Sequence, residues 1–152
     1  MNGRTTTGGR DVSLAGYCHP ACVVCGDRND GGLGLRFEEQ ADGSVVGLFA
    51  CEPGYQGYPE RLHGGVVAML LDGAMTNCLF ARRVRGFTAK LEVRFRHPVK
   101  VGVNATIRAR LVHEAPPLYV LEAELLQHDT VRAVAKGKFF GEPETPQQRN
   151  PR

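Results

Sequence analysis

The residues most able to do chemistry gather in one short stretch, Leu62-His63-Gly64-Gly65-Val66, which opens a long apolar run ending near Phe80. Two glycines at a helix start are a poor choice for stability, since each costs roughly 1 kcal/mol against alanine within a helix. They become sensible where something must approach the backbone closely. The first N–H groups of a helix lack internal partners, and the positive end of its dipole favours an acceptor with developing negative charge. A thioester or ester carbonyl is such an acceptor, and its tetrahedral oxyanion is a better one. The plainer alternative is a glycine pair that lets the helix pass close under a strand.

Asp72 is a second anomaly, because the six residues before it, Val66 to Leu71, are all apolar. A carboxylate on a buried helix is costly unless it is paired or hydrogen-bonded. Either backbone amides or one of the arginines satisfy it, or it is a general base or nucleophile. Gly65 and Asp72 are seven residues apart, so they share a helix face yet stand about 10 Å apart along the axis. One carbonyl cannot easily touch both. Two helices antiparallel across a two-fold axis would bring Gly64 and Gly65 of one chain to Asp72 of the other, which points to a dimer with two interfacial sites.

The cysteines form a third group. Cys18, Cys22 and Cys25 read C-x3-C-x2-C, with His19 beside the first. One C-x-x-C is half a zinc site, and a structural site wants four ligands. Cys51 or His19 are the candidates to complete it, but no second knuckle follows, so no metal is expected. Cys51 and Cys78 read as small buried hydrophobes. No Cys/His/Asp ordering supports a cysteine nucleophile.

The elements that must position these groups fit within 152 residues, one domain by length. Hydrophobic residues at 42% and charged residues at 23% are ordinary globular chemistry. No unbroken run of about 18 apolar residues occurs, so no membrane span is expected. Residues 1–10 lack the apolar core of a secretory signal, and five cysteines then read as reduced thiols in a cytoplasmic protein. The net charge is +3, but the segment from Arg82 to Lys100 carries seven positives against the single acid Glu92. That segment is either a solvated sheet face or a surface for a phosphate-bearing ligand. Nucleic acid is not expected, since no reading helix or aromatic platform accompanies the charge.

Residues 1–16 and 142–152 have the composition of flexible tails around a domain at 17–141. Leu33–Glu38 and Ser44–Ala50 read as strands around a turn at Ala41-Asp42-Gly43, and 53–59 as a loop. His63 to Phe80 reads as a helix buried on most sides. Four strands follow, the clearest being Ala89, Leu91, Val93 and Phe95 alternating with Lys90, Glu92, Arg94 and Arg96. Pro116-Pro117 and His128-Asp129 stand at turns. The order β-β-α-β-β-β-β predicts an α+β domain: about six antiparallel strands curved round one long helix. Lys90, Arg94 and Arg96 would then lie on the face away from the helix, or at an interface.

His63-Gly64-Gly65 followed by Val66-Val67-Ala68-Met69-Leu70-Leu71-Asp72, in this element order, closely resembles the hotdog-fold acyl-CoA thioesterases of the phenylacetyl-CoA thioesterase (PaaI-like) type. The resemblance runs from Cys22 to Phe140 and includes Gly-Leu-Gly-Leu at 32–35, Gly57-Tyr58-Pro59, and the strand from Thr88 to Pro98. It implies that the Gly64 amide is the oxyanion donor and that Asp72 of a partner subunit is the catalytic nucleophile or base. It implies that Thr88 orients the water or the carboxylate, and that His63 shapes the site. Gly65, Gln56 and Gly57 fall at substrate-binding positions. Some relatives carry an Asn where this chain has Gly57, with Gln56 the nearby substitute. Coenzyme A, as part of an acyl- or aryl-CoA substrate, would suit the basic 82–100 segment, with no other cofactor. The implied assembly is a homodimer or a dimer-of-dimers tetramer. The alternative is a hotdog protein that binds acyl-CoA or lipid without turnover.

Overall fold

The apolar run folds as one 18-residue helix, α1 (Gly64–Ala81), in the computed structural model, which describes residues 10–11 and 18–143. An apolar surface on every side needs cover on every side, and a strongly curved antiparallel sheet supplies most of it. Its strands are β1 (Arg10–Asp11), β2 (Phe37–Glu39), β3 (Val45–Phe49), β4 (Val84–Phe95), β5 (Ala105–Ala115), β6 (Leu118–Gln127) and β7 (Thr130–Pro143). They lie in the order β1-β2-β3-β5-β6-β7-β4, so the first strand after the helix is an outer edge. This is the hotdog arrangement, with β1 as a two-residue addition at the far edge.

Alternation decides which face meets the helix. Ile107, Ala109, Tyr119, Leu121, Ala123, Leu125, Ala133, Ala135 and Phe139 are buried against Leu70, Leu71, Ala74, Met75 and Leu79 of α1. The opposite face is a charged lattice in which Arg110 stands across from Glu122 and Arg108 across from Glu124, at 2.7 and 3.3 Å. α1 is long and apolar enough by length and composition to cross a membrane, which the residue-by-residue reading did not expect, because Asp72, Thr76 and Asn77 interrupt the run. Most of it is nonetheless buried inside the domain, as in the core helix of a folded sheet protein.

The sheet leaves the back of α1 bare, and the loop from Cys18 to Leu35 covers it. His19 meets Phe80 edge-on at 4.8 Å between ring centroids, and Val24 lies directly over Gly73. A Cβ added at Gly73 would stand 2.6 Å from Val24 Cγ1. Gly73→Ala is therefore expected to destabilise the protein: overpacking costs about 1–3 kcal/mol, against roughly 1 kcal/mol gained in helix propensity. A lower urea midpoint at unchanged slope is the expected readout; an unchanged or raised midpoint would contradict this packing.

Two expectations change. Leu33–Leu35 is not sheet: Gly34 turns through φ 62, Leu33 and Leu35 donate to the carbonyls of Val23 and Val24 at 2.7 and 2.9 Å, and only Phe37–Glu39 pairs with β3. The alternation from Ala89 to Phe95 exists, but its apolar side is not buried, with Leu91 36% and Phe95 55% exposed. Among the described residues no strand pairs with that edge. Arg10–Asp11 pairs with Glu38 and Glu39 within the expected tail, and β7 runs on to Pro143; the rest of both expected tails lies outside the described residues.

Candidate active site

The helix start is fixed by its preceding histidine. His63 is the N-cap, in extended conformation, and its Nδ1 accepts from the Gly65 amide at 2.9 Å. An imidazole accepting at Nδ1 carries its neutral-state proton on Nε2. The Val66 and Val67 amides donate to the His63 carbonyl at 3.0 and 3.1 Å, and the His63 amide donates to the Tyr55 carbonyl at 2.9 Å. Among the described residues nothing accepts from the Gly64 amide. The cap thus leaves one free donor at the positive end of the helix. It also accounts for Gly65, where a Cβ would stand 3.0 Å from His63 Nδ1.

That donor opens into a cleft of about 610 Å³ between the loop before the helix and the end of β4, whose walls include Gly57, Tyr58, Arg61, Phe95, Arg96 and His97. The two walls are joined where Leu62 N–H donates to the Val99 carbonyl at 2.8 Å. Gln127, buried, accepts from the Lys100 amide and donates to the Lys100 and Val103 carbonyls, pinning the turn behind Val99. Gly57 lies against His63, and a Cβ there would stand 3.2 Å from His63 Cδ2, so a larger residue would crowd the cap. Gln56 is exposed and does not line the cleft.

Asp72 is half-buried on the flank of α1, less buried than its apolar neighbours suggest. Its Oδ1 accepts from Thr88 Oγ1 at 2.7 Å, which holds the carboxylate at one oxygen and leaves the other available. The structure therefore joins Thr88 to Asp72, and Gly57, His63 and Gly64 to one another. It does not join the two groups within one chain: Asp72 lies eight residues beyond Gly64, about 12 Å along the helix. Both groups border β4, since Gly64 faces the Phe95 ring, with a Cβ there 3.6 Å from it, while Thr88 lies towards the other end.

The basic run from Arg82 to Lys100 does not form one patch. Arg82 caps the C-terminus of α1, Arg85 stacks 5.8 Å from the Phe87 ring centroid, and Lys90 pairs with Glu92 at 3.6 Å. Arg94 faces the charged lattice, while Arg96 reaches both the lattice and the cleft. Tyr58, Arg61, Phe95 and His97 are lining residues that spacing along the chain could not join, because two separate segments form the walls. Burial pushes the thiols of Cys25, Cys51 and Cys78 up to about 11, so none is a ready thiolate nucleophile. Among the described residues, metal-ligating side chains gather in one group, His19, Cys22 and Cys25, none of which belongs to either half-site.

A family model described as the thioesterase superfamily matches residues 60–134, which spans both half-sites. No curated protein matches the chain. Among solved structures, the thioesterase superfamily protein RHA08564 is 27% identical with a TM-score of 0.75, covering 79% of this chain. This chain spans only 60% of that protein's length. A hypothetical thioesterase protein with coenzyme A from Streptococcus pneumoniae TIGR4 is 19% identical, TM-score 0.68, over 72% of this chain and 90% of that one. The E. coli PaaI protein from the phenylacetic acid degradation operon is 20% identical, TM-score 0.67, over 74% and 83%. With the family match falling on the helix start, Asp72 and Thr88, and with the fold shared, the chain has a hotdog fold and is similar to the thioesterase superfamily over the segment that carries both half-sites.

Proposed function

We propose that the protein hydrolyses the thioester of acyl- or aryl-CoA, in active sites shared between two chains. The observation that carries this reading is the split site along an open edge: a free helix-start amide at one end of β4 and a Thr88-held carboxylate towards the other. A 12-residue edge strand with bare hydrogen-bonding groups and exposed Leu91 and Phe95 is a template for a second strand. Antiparallel pairing of β4 with the same strand of a second copy carries Thr88 and Asp72 of one chain towards Phe95 and Gly64 of the other. It also covers the apolar edge.

In that arrangement the thioester carbonyl oxygen accepts from the Gly64 amide, and the helix dipole favours the negative charge that develops on it. Asp72 of the partner, with Thr88 occupying Oδ1, takes a proton from water at Oδ2 as the water attacks the carbonyl, or attacks the carbonyl itself to give, after loss of the thiolate, a mixed anhydride that water hydrolyses to free acid and restored carboxylate. Collapse of the tetrahedral intermediate breaks the C–S bond and releases the thiolate of coenzyme A, which takes up a proton. Arg61, Arg96 and His97 at the cleft suit the phosphates of that leaving group. A fold neighbour with coenzyme A supports the same ligand class. The reaction needs no cofactor beyond the coenzyme A of its substrate.

Purified protein offered short, medium, long-chain and aryl-CoA esters should release free thiol from at least one class. Thermal stabilisation by acyl-CoA with no turnover on any of them would instead favour the binding-only alternative.

A further inference from the structure

The loop over the back of α1 carries chemistry that the cleft does not use. Donor atoms of His19, Cys22 and Cys25 all lie within 4.8 Å of one another. Ligands on a tetrahedral zinc ion, with Zn–S near 2.3 Å, stand about 3.7 Å apart, so the observed spread lies about an ångström outside a closed site. Cys25 is buried, Cys22 and His19 are half-buried, and neither cysteine is in a disulfide. His19 Nδ1 is buried and has no hydrogen-bond partner among the described residues, an uncommon state for a buried ring nitrogen that a ligand would remedy.

The backbone winds tightly around these side chains. The Val24 amide points at Cys22 Sγ at 3.4 Å, the kind of donor that stabilises a thiolate. Cys22 N–H donates to the His19 carbonyl at 3.2 Å, and Gly26 N–H donates to the Cys22 carbonyl at 2.9 Å. Gly26 is required by the tightness of this turn, since a Cβ there would run into the Cys22 and Pro20 backbone. Cys51, the other sequence candidate, is elsewhere: its sulfur meets the Phe49 carbonyl and Gln127.

We propose that His19, Cys22 and Cys25 bind one zinc ion, which fastens this loop over the central helix. Two thiolates and an imidazole are a donor set that suits zinc over magnesium, calcium or manganese. The fourth corner is left to water or to the neighbouring Cys18 thiol. Val24, between the two cysteine ligands, rests on Gly73, the residue after Asp72, so the ion braces the helix flank that presents the carboxylate. Its role is structural and independent of thioester hydrolysis.

The test uses the full chain purified without chelator, its metal content measured by mass spectrometry and its thiols by titration. About one zinc per chain is expected. Anaerobic cobalt substitution should give the thiolate charge-transfer band and strong visible absorption of tetrahedral coordination. Cys22→Ser and His19→Phe, the latter keeping the ring contact with Phe80, should each weaken zinc binding by more than about tenfold with the circular dichroism retained. Fully reduced wild-type protein that carries under a tenth of an equivalent and gives the weak spectrum of aqueous cobalt would overturn the proposal. Unchanged affinity in both variants, or a Cys22–Cys25 disulfide reforming at once in reduced protein, would overturn it equally.

Discussion

Replacing Asp72 with alanine is expected to lower kcat on acyl-CoA by about 10³-fold, the range of a lost general base, while KM changes little. Asp72 is half-buried, and its side chain makes one hydrogen bond, to Thr88, so losing it costs about 1 kcal/mol of stability and the fold survives. Asp72→Asn keeps the shape and should be nearly as damaging, because it removes the charge. Thr88→Val removes the donor that holds Oδ1 and should cost less than either. Single-turnover thiol release separates these effects on chemistry from effects on binding. An alanine variant that keeps more than a tenth of wild-type kcat would remove Asp72 from the mechanism.

Gly64→Pro addresses the other half-site. Proline at the first helical position replaces an N–H that no group among the described residues accepts, and its fixed φ suits that position. His63 before it has ψ 133, the extended conformation that a residue before proline prefers. Stability should therefore hold, whereas loss of the single oxyanion donor should lower kcat by about 10²–10³-fold. A Gly64→Ala variant, which retains the amide, should keep most of the activity. Equal activity in the proline and alanine variants, measured on folded protein, would show that this amide does not meet the carbonyl.

Much of the fold was legible because single elements impose strong patterns. The apolar run before and after Asp72 specified a helix covered on most sides, and the alternation in β5 and β6 told inside from outside. β4 carries the same alternation, yet its apolar side is open, since period two reports which residues share a face and not whether that face is covered. Leu33–Leu35 has strand-like composition, but its amides bond to the loop at Val23 and Val24, a choice that tertiary packing makes.

The site was legible in part. Gly64, Asp72 and Thr88 were readable as anomalies or through family resemblance. His63 as an N-cap was not, because capping is signalled by Ser, Thr, Asp or Asn. Its ring takes the Gly65 amide, so the two glycines have different reasons to be there. The basic run looked like one feature along the chain, but a helix end and an alternating strand scatter it over separate surfaces. Arg61, Phe95 and His97 belong to a cleft that exists only after Leu62 bonds to Val99.

The central claim is that each site takes its amide from one chain and its carboxylate from another. Co-expression of Gly64→Pro and Asp72→Ala chains with different tags, followed by isolation of the mixed dimer, tests it directly. Sites shared between chains leave one intact site in each mixed dimer, with Gly64 from the Asp72→Ala chain and Asp72 from the Gly64→Pro chain, so about half of wild-type kcat per dimer is predicted. Activity no higher than that of either parent variant would place a defect in every site, and would contradict the shared-site account.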